Sequence, residues 1–178
     1  MGWTLPRTWV QDELVTPALL NTHLRDNLNA LSHLVVRKTS NESVVSSTVL
    51  QNDDVLLFAV AANEIWLVQL ILLWDSGNTG DLKWAFTWPA GATAHVTCVS
   101  PVAGAGVTGL SYQTTITSGT GSSLEQLQAG TGIVTKFDGV LINGGTAGNL
   151  QFQWAQSTSD GTATIVKANS TLWAVKLA

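Results

Sequence analysis

From Ser43 onwards apolar and polar residues alternate with a period of two, in runs bounded by turn chemistry, whereas residues 16–35 repeat every three or four. The alternation predicts strands near 44–50, 54–61, 64–75, 81–88, 92–100, 108–118, 132–143, 149–158 and 162–177. "SGNTGD", "PAGA", "AGAG", "SGTGSS", "INGGTAGN" and "SDGT" supply the turns between them. Eight or nine strands with no helix-length interruption predict a mainly β chain whose residues 39–178 form an antiparallel, jelly-roll-like sandwich.

One run departs from the one-sided pattern. In "EIWLVQLILLW", Trp66, Val68, Leu70, Leu72 and Trp74 share one face, while Ile65, Leu67, Ile71 and Leu73 share the other, broken only by Gln69. An antiparallel sheet normally leaves one side to water, so a strand apolar on both sides requires a second cover, either a helix of the same chain or a neighbouring subunit. Ile65, Leu67, Ile71 and Leu73 are therefore the candidate oligomer face.

The front of the chain reads differently. Residues 1–14 hold Trp3, Leu5 and Trp9 around Pro6 with no helical period, which predicts an extended arm whose large apolar side chains need a surface to lie on. Thr16 is a good N-cap and Pro17 suits the first helical position. Leu20, Leu24, Leu28, Leu31 and Val35 then follow at helical spacing, predicting one amphipathic helix of about five turns within residues 15–38. Leu24, Leu28, Leu31 and Val35 read either as a short coiled-coil seam, with Asn21 as a polar layer, or as a stripe packed on the chain's own β domain.

Composition narrows the partners. Charged residues are 11% of 178 against 45% hydrophobic, low for a protein surrounded only by water, so part of the surface is expected to face other protein. A net charge of −4 and eight scattered Lys and Arg argue against nucleic acid. The longest nearly apolar run, Ile65 to Trp74, is about half of what a membrane-spanning helix needs, so no membrane insertion is expected. The start "MGWTLPRTW" lacks the regions of a signal peptide, which implies synthesis and retention in a cytoplasm and makes the glycosylation patterns at Asn41 and Asn169 idle.

Candidate chemistry is sparse. Cys98 is alone, in an alternating run that predicts a buried thiol. His23, His33 and His95 lack metal-site spacing, and "DSGNTGD" lacks the closing Glu of a calcium loop while suiting a hairpin turn. Asp53 and Asp54 are adjacent and so point to opposite sides of an extended chain, which does not make an acid pair across a cleft. No nucleophile elbow or phosphate-binding loop occurs. No cofactor, metal or catalytic residue is expected.

"TWVQDELVTPALLNTHLRDNLNAL" resembles the N-terminal segment of a group of tailed-bacteriophage virion proteins, through Trp9, Val15, Thr16, Leu20, Asn21, Leu24, Arg25, Asp26, Asn27 and Leu31. The C-terminal "LQFQWAQSTSDGTATIVKANSTLWAVKL" is similar to the closing strands of phage appendage domains with tumour-necrosis-factor-like jelly rolls, in Gln156, Ser157, Ser159, Thr164, Val166 and Ser170. The resemblance implies a virion component, commonly a homotrimer, whose partners are itself and phage capsid or tail proteins. The arm and helix would be its attachment element and the β domain an exposed knob. Capsid decoration is the first reading, a tail or baseplate appendage the alternative, and a polysaccharide depolymerase a third class disfavoured by the missing acid pair.

Overall fold

The structure, a computed structural model, describes residues 4–5, 7–30, 33–77, 79–101, 110–114, 118–124 and 132–178, with the backbone alone at 29–30 and 110–114. Two antiparallel sheets form a sandwich behind an N-terminal helix. Twelve strands are found among the described residues: β1 Leu34–Arg37, β2 Glu42–Val44, β3 Gln51–Val60, β4 Ile65–Asp75, β5 Leu82–Thr87, β6 Thr93–Pro101, β7 Leu110–Thr114, β8 Ser122–Leu124, β9 Ile133–Ile142, β10 Gly148–Ala155, β11 Thr164–Val166 and β12 Thr171–Lys176.

The larger sheet runs β1-β12-β4-β9-β6-β7, with β11 and β2 continuing from the end of β4, and the smaller runs β3-β10-β5-β8. With the short pair β2–β11 and the hairpin β6–β7 set aside, the remaining eight strands, renumbered in chain order, pair as 1-8-3-6 and 2-7-4-5. That wiring is the jelly roll. The hairpin β6–β7 is inserted between β5 and β8 and widens the larger sheet beyond β9. Gly139 of β9 permits this close approach, because a Cβ there would stand 2.6 Å from the His95 carbonyl oxygen.

The core lies between the sheets. Trp66, Val68, Leu70, Leu72 and Trp74 of β4 turn inward, as the alternation predicts, and the last three are fully buried. Phe137 of β9 meets Trp84 (4.7 Å between ring centroids), Phe86 (5.7 Å) and Phe152 (5.9 Å) of the facing sheet, all in edge-on geometries that favour aromatic pairs. Trp74 donates its indole N–H to Thr135 Oγ1 (2.8 Å), which also bonds Ser100 Oγ (2.7 Å). Cys98 is fully buried, and that burial pushes its thiol up to about 12.

Several expected boundaries move. The helix consists of α1 Pro17–Leu20, a π turn Asn21–Arg25 and α2 Asp26–Ala30, so it stops well short of residue 38. Val35 is not a helical position but a residue of β1, opposite Trp173 in β12. Two consecutive β-branched residues, Val35 and Val36, fit the edge of the sheet, and their ladder with β12 replaces the last turns of helix. The predicted strand 44–50 is not formed, since residues 45–50 are loop and β2 ends at Val44, residues 162–177 divide into β11 and β12 around a turn at 167–170, and "SGTGSS" contains the start of β8. Asp53 and Asp54 both lie inside β3, which opens at Gln51, three residues before the predicted strand. No helix among the described residues is long and apolar enough to cross a membrane.

Replacing Thr135 by Val leaves the buried Trp74 N–H without its acceptor and the Ser100 hydroxyl without a partner. We expect Thr135→Val to lower unfolding free energy by about 1–3 kcal/mol in urea titration. Cys98 should stay unreactive towards a thiol reagent until denaturant unfolds the protein.

Candidate functional site

Among the described residues the chain presents two apolar surfaces and one buried charged cluster. The first surface is the helix. Thr16 accepts the Leu19 N–H at its start (3.3 Å), and the π turn is closed by the Asp26 N–H bonding the Asn21 carbonyl. Asn27, buried, grips the arm from both sides: its Oδ1 accepts the Thr4 N–H (3.0 Å) and its Nδ2 donates to the Thr4 carbonyl (2.9 Å). Trp9 lies edge-on to His23, with the Arg7 guanidinium over its ring, and Arg7 pairs with Glu13. The arm is thus folded against the helix face of His23 and Asn27.

The stripe beside it, about a quarter-turn round the helix, is bare. Leu20, Leu24 and Leu28 are all exposed, Leu28 by 67%, and they do not pack on the β domain as one of the two expectations had it. Leu5 is 81% exposed and Trp9 is also exposed. Trp3 and Leu31 lie outside the described residues.

The second surface is the outer face of the larger sheet. Register places Val175, Leu67, Val140 and His95 in one row, Trp173, Gln69, Asp138 and Thr97 in the next, Thr171, Ile71, Lys136 and Val99 in the third, and Leu73 beside Val134. Ile65 pairs with Ile142 at one end. Leu67, Val134 and Ile142 are exposed, Val134 by 55%, while Ile65, Ile71 and Leu73 are half-buried. The polar break at Gln69 is answered by Asp138 on β9, whose carboxylate accepts the Gln69 amide (2.8 Å) and pairs with Lys136 (2.9 Å). His33 stacks on Trp173 at the edge of this face, with centroids 5.3 Å apart.

The buried cluster was not singled out in the sequence. Lys38, just after β1 and 1% exposed, places Nζ 2.7 Å from Asp53 Oδ2 and 2.7 Å from Glu42 Oε2. Asp53 lies in a bulge of β3, where residues 53–56 stand opposite the single Phe152. The bulge turns the N–H groups of Val55 and Leu56 onto Asp53 Oδ1 (3.0 and 2.8 Å), and Gln151 donates to the Asp53 carbonyl (2.9 Å). Burial raises the Glu42 carboxyl above the ordinary carboxylate range against the Lys38 hydrogen bond, and the charge of Asp53 adds to the rise.

Elsewhere the expected chemistry finds other uses. The Asp75 carboxylate of "DSGNTGD" pairs with Lys167 (3.1 Å), and Asp160 accepts the Thr79 hydroxyl. No group of three His, Cys, Asp or Glu that could hold a metal ion occurs among the described residues. A cavity between the sheets, lined by Val68, Leu70, Phe86, Ala94 and Leu150, measures about 10 Å³, the space of a single water.

No family model matches the chain, and no curated protein does. Among solved structures, a chain from the structure of infectious bursal disease virus Gx strain is similar at 8% identity and a TM-score of 0.20, over 82% of this chain and 36% of that one. The Gt strain gives the same identity and TM-score, over 82% and 37%. The chain spans little more than a third of the length of these structures, and a likeness this distant carries no functional argument.

Asn27 is the clasp of the arm. Asn27→Ala should free residues 4–13, seen as faster proteolytic nicking there and a red shift in Trp9 emission, with the urea midpoint of the β sandwich unchanged.

Proposed function

We propose that the protein is a non-enzymatic structural component of a phage virion, a homotrimer that decorates the outside of the head and holds to it through its N-terminal arm and helix. The observation that carries this reading is the apolar outer face of the larger sheet. Ile65, Leu67, Ile71 and Leu73 extend it across β4, Val134, Val140 and Ile142 across β9, and Trp173 and Val175 across β12, with no second layer over it among the described residues. A face of this composition is stable in water when another subunit covers it.

The leucine stripe and the Trp arm supply a second, separate contact. A clasped arm releases from Asn27 at small cost and offers Trp3, Leu5 and Trp9 to a groove between neighbouring capsid subunits, where large aromatic side chains contribute most of the contact energy. Leu24, Leu28 and Leu31 gather the helices of one trimer, and three arms on one particle then act at high effective concentration. The virion reading also rests on the N-terminal and C-terminal resemblances described above, and among the described residues no acid pair across a cleft speaks for an enzymatic role.

Sedimentation at micromolar concentration should give three times the 18.8 kDa chain mass, and a clean monomer would refute the trimer. Leu67→Asp, flanked across the strands by Val140 and Val175, buries an unpaired charge in the proposed interface and should yield a folded monomer, read by circular dichroism together with sedimentation. Deleting residues 1–14 should leave the trimer intact and abolish co-sedimentation with heads lacking the protein. Trp3→Ala and Trp9→Ala should each weaken binding by about 2 kcal/mol, with little dependence on salt. Co-sedimentation with tails instead of heads would move the protein to a tail appendage.

A further inference from the structure

We propose that Lys38 and Asp53 condense into an intramolecular isopeptide bond, with Glu42 carrying the proton between them. The inference does not depend on the virion reading. It rests on how the cluster is built: a fully buried amine faces two carboxylates at 2.7 Å, and one of them has its other oxygen held by two main-chain N–H groups.

An ordinary buried ion pair needs one anion for one cation. Here two carboxylates surround one ammonium, leaving excess negative charge in a place of low dielectric, which is costly. Condensation removes the charge of Lys38 and of Asp53 together. The hydrogen bond from Nζ to Oδ2 also puts the nitrogen close to the roughly 3–3.5 Å from the carboxyl carbon that a near-attack arrangement requires.

The step balances without any co-reactant. The Lys38 ammonium passes one proton to Asp53 Oδ2, giving a neutral amine and a carboxylic acid. The amine lone pair attacks Asp53 Cγ, the C–N bond forms, and the carbonyl π pair moves onto Oδ1. The Val55 and Leu56 N–H groups hydrogen-bond that oxygen and stabilise its developing charge, as donors in an oxyanion hole do. Glu42 Oε2 takes a proton from the nitrogen and returns it to Oδ2, the C–Oδ2 bond breaks as the Oδ1 pair folds back, and water leaves. The products are one amide and one water, with Glu42 restored.

The surroundings fit each role. Glu42 is held by Gln51, whose amide donates to Oε1 (3.1 Å), and its raised carboxyl suits a group that must take up and release a proton. Its side chain is partly exposed where Lys38 and Asp53 are not, which gives the released water a way out. Main-chain bonds to Ser170 and from Asn169 fix Lys38 on both sides (2.9 Å each), so the amine has little freedom to leave the site. The product would staple the β1–β2 connection, at the edge of the larger sheet, to the bulge of β3 in the smaller one.

The experiment is intact-mass spectrometry of the purified full chain after denaturation, followed by peptide mapping. The expected result is a mass lower by one water than the sequence requires, with a branched peptide joining the segment of Lys38 to that of Asp53. Glu42→Gln and Lys38→Arg should both show the full mass while keeping the β-sheet circular dichroism of the parent. A parent chain at full mass overturns the proposal. So does a lost water that maps to Asp138–Gly139 or Asp160–Gly161, where succinimide formation produces the same deficit. A bond that forms as completely in E42Q as in the parent overturns the role given to Glu42.

Discussion

Phe137 is the contact on which the two sheets depend. Among the described residues it is the one ring of the larger sheet that meets Trp84, Phe86 and Phe152 together, and its place in β9 is opposite the fully buried Leu70 of β4. Once Phe137 faces inward, pairing fixes the direction of its neighbours. Leu70 and Cys98 turn in beside it, while Lys136 and Asp138 turn out. Because side chains alternate strictly along a strand, the second set of apolar residues on β4 has no choice but the outer face. The exposed surface of the sheet is therefore the other half of the same register that makes the core.

That consequence was legible in the sequence because β4 shows it within eleven residues. Which of two covers the outer face takes was not, since both a helix and a subunit present leucines. The structure narrows the choice by showing Leu20, Leu24 and Leu28 exposed, with the arm occupying the neighbouring helix face through Asn27. The misreading of Val35 has a simple cause. A spacing of four satisfies a helical stripe and equally a strand two alternations further on, so Leu31 to Val35 fits both, and only pairing with Trp173 decides.

The buried cluster was invisible for a different reason. Lys38 follows β1, Glu42 opens β2 and Asp53 lies within β3, and nothing in their spacing distinguishes them from solvated charges. The bulge in β3 brings Asp53 inward and exposes two N–H groups to its carboxylate, and a bulge leaves no signature in hydrophobic alternation beyond a slip of phase. The slip is present: "DDVLLF" places Leu56 and Phe58 inside with Asp53, three and five residues on, where a regular strand would keep even spacing. A buried Asp at a phase break, with a Lys following an edge strand upstream, is the signal that was available.

These features share one line through the molecule. In the attachment proposed above, a pull on the arm and helix passes into β1, an edge strand of only four residues paired on one side by β12. Such a strand peels easily, because its hydrogen bonds are loaded one at a time and its outward residue Val35 is exposed. Lys38 is the first residue after it. Whether joined to Asp53 by an ion pair or by an amide, Lys38 passes the load across the sandwich to β3, which is ten residues long and anchored through Leu56, Phe58 and Val60 in the core. An ion pair in that position yields once water reaches it, whereas a covalent bond does not. Under the proposed attachment the load is greatest at this point, and this is where the amine and the carboxylate meet.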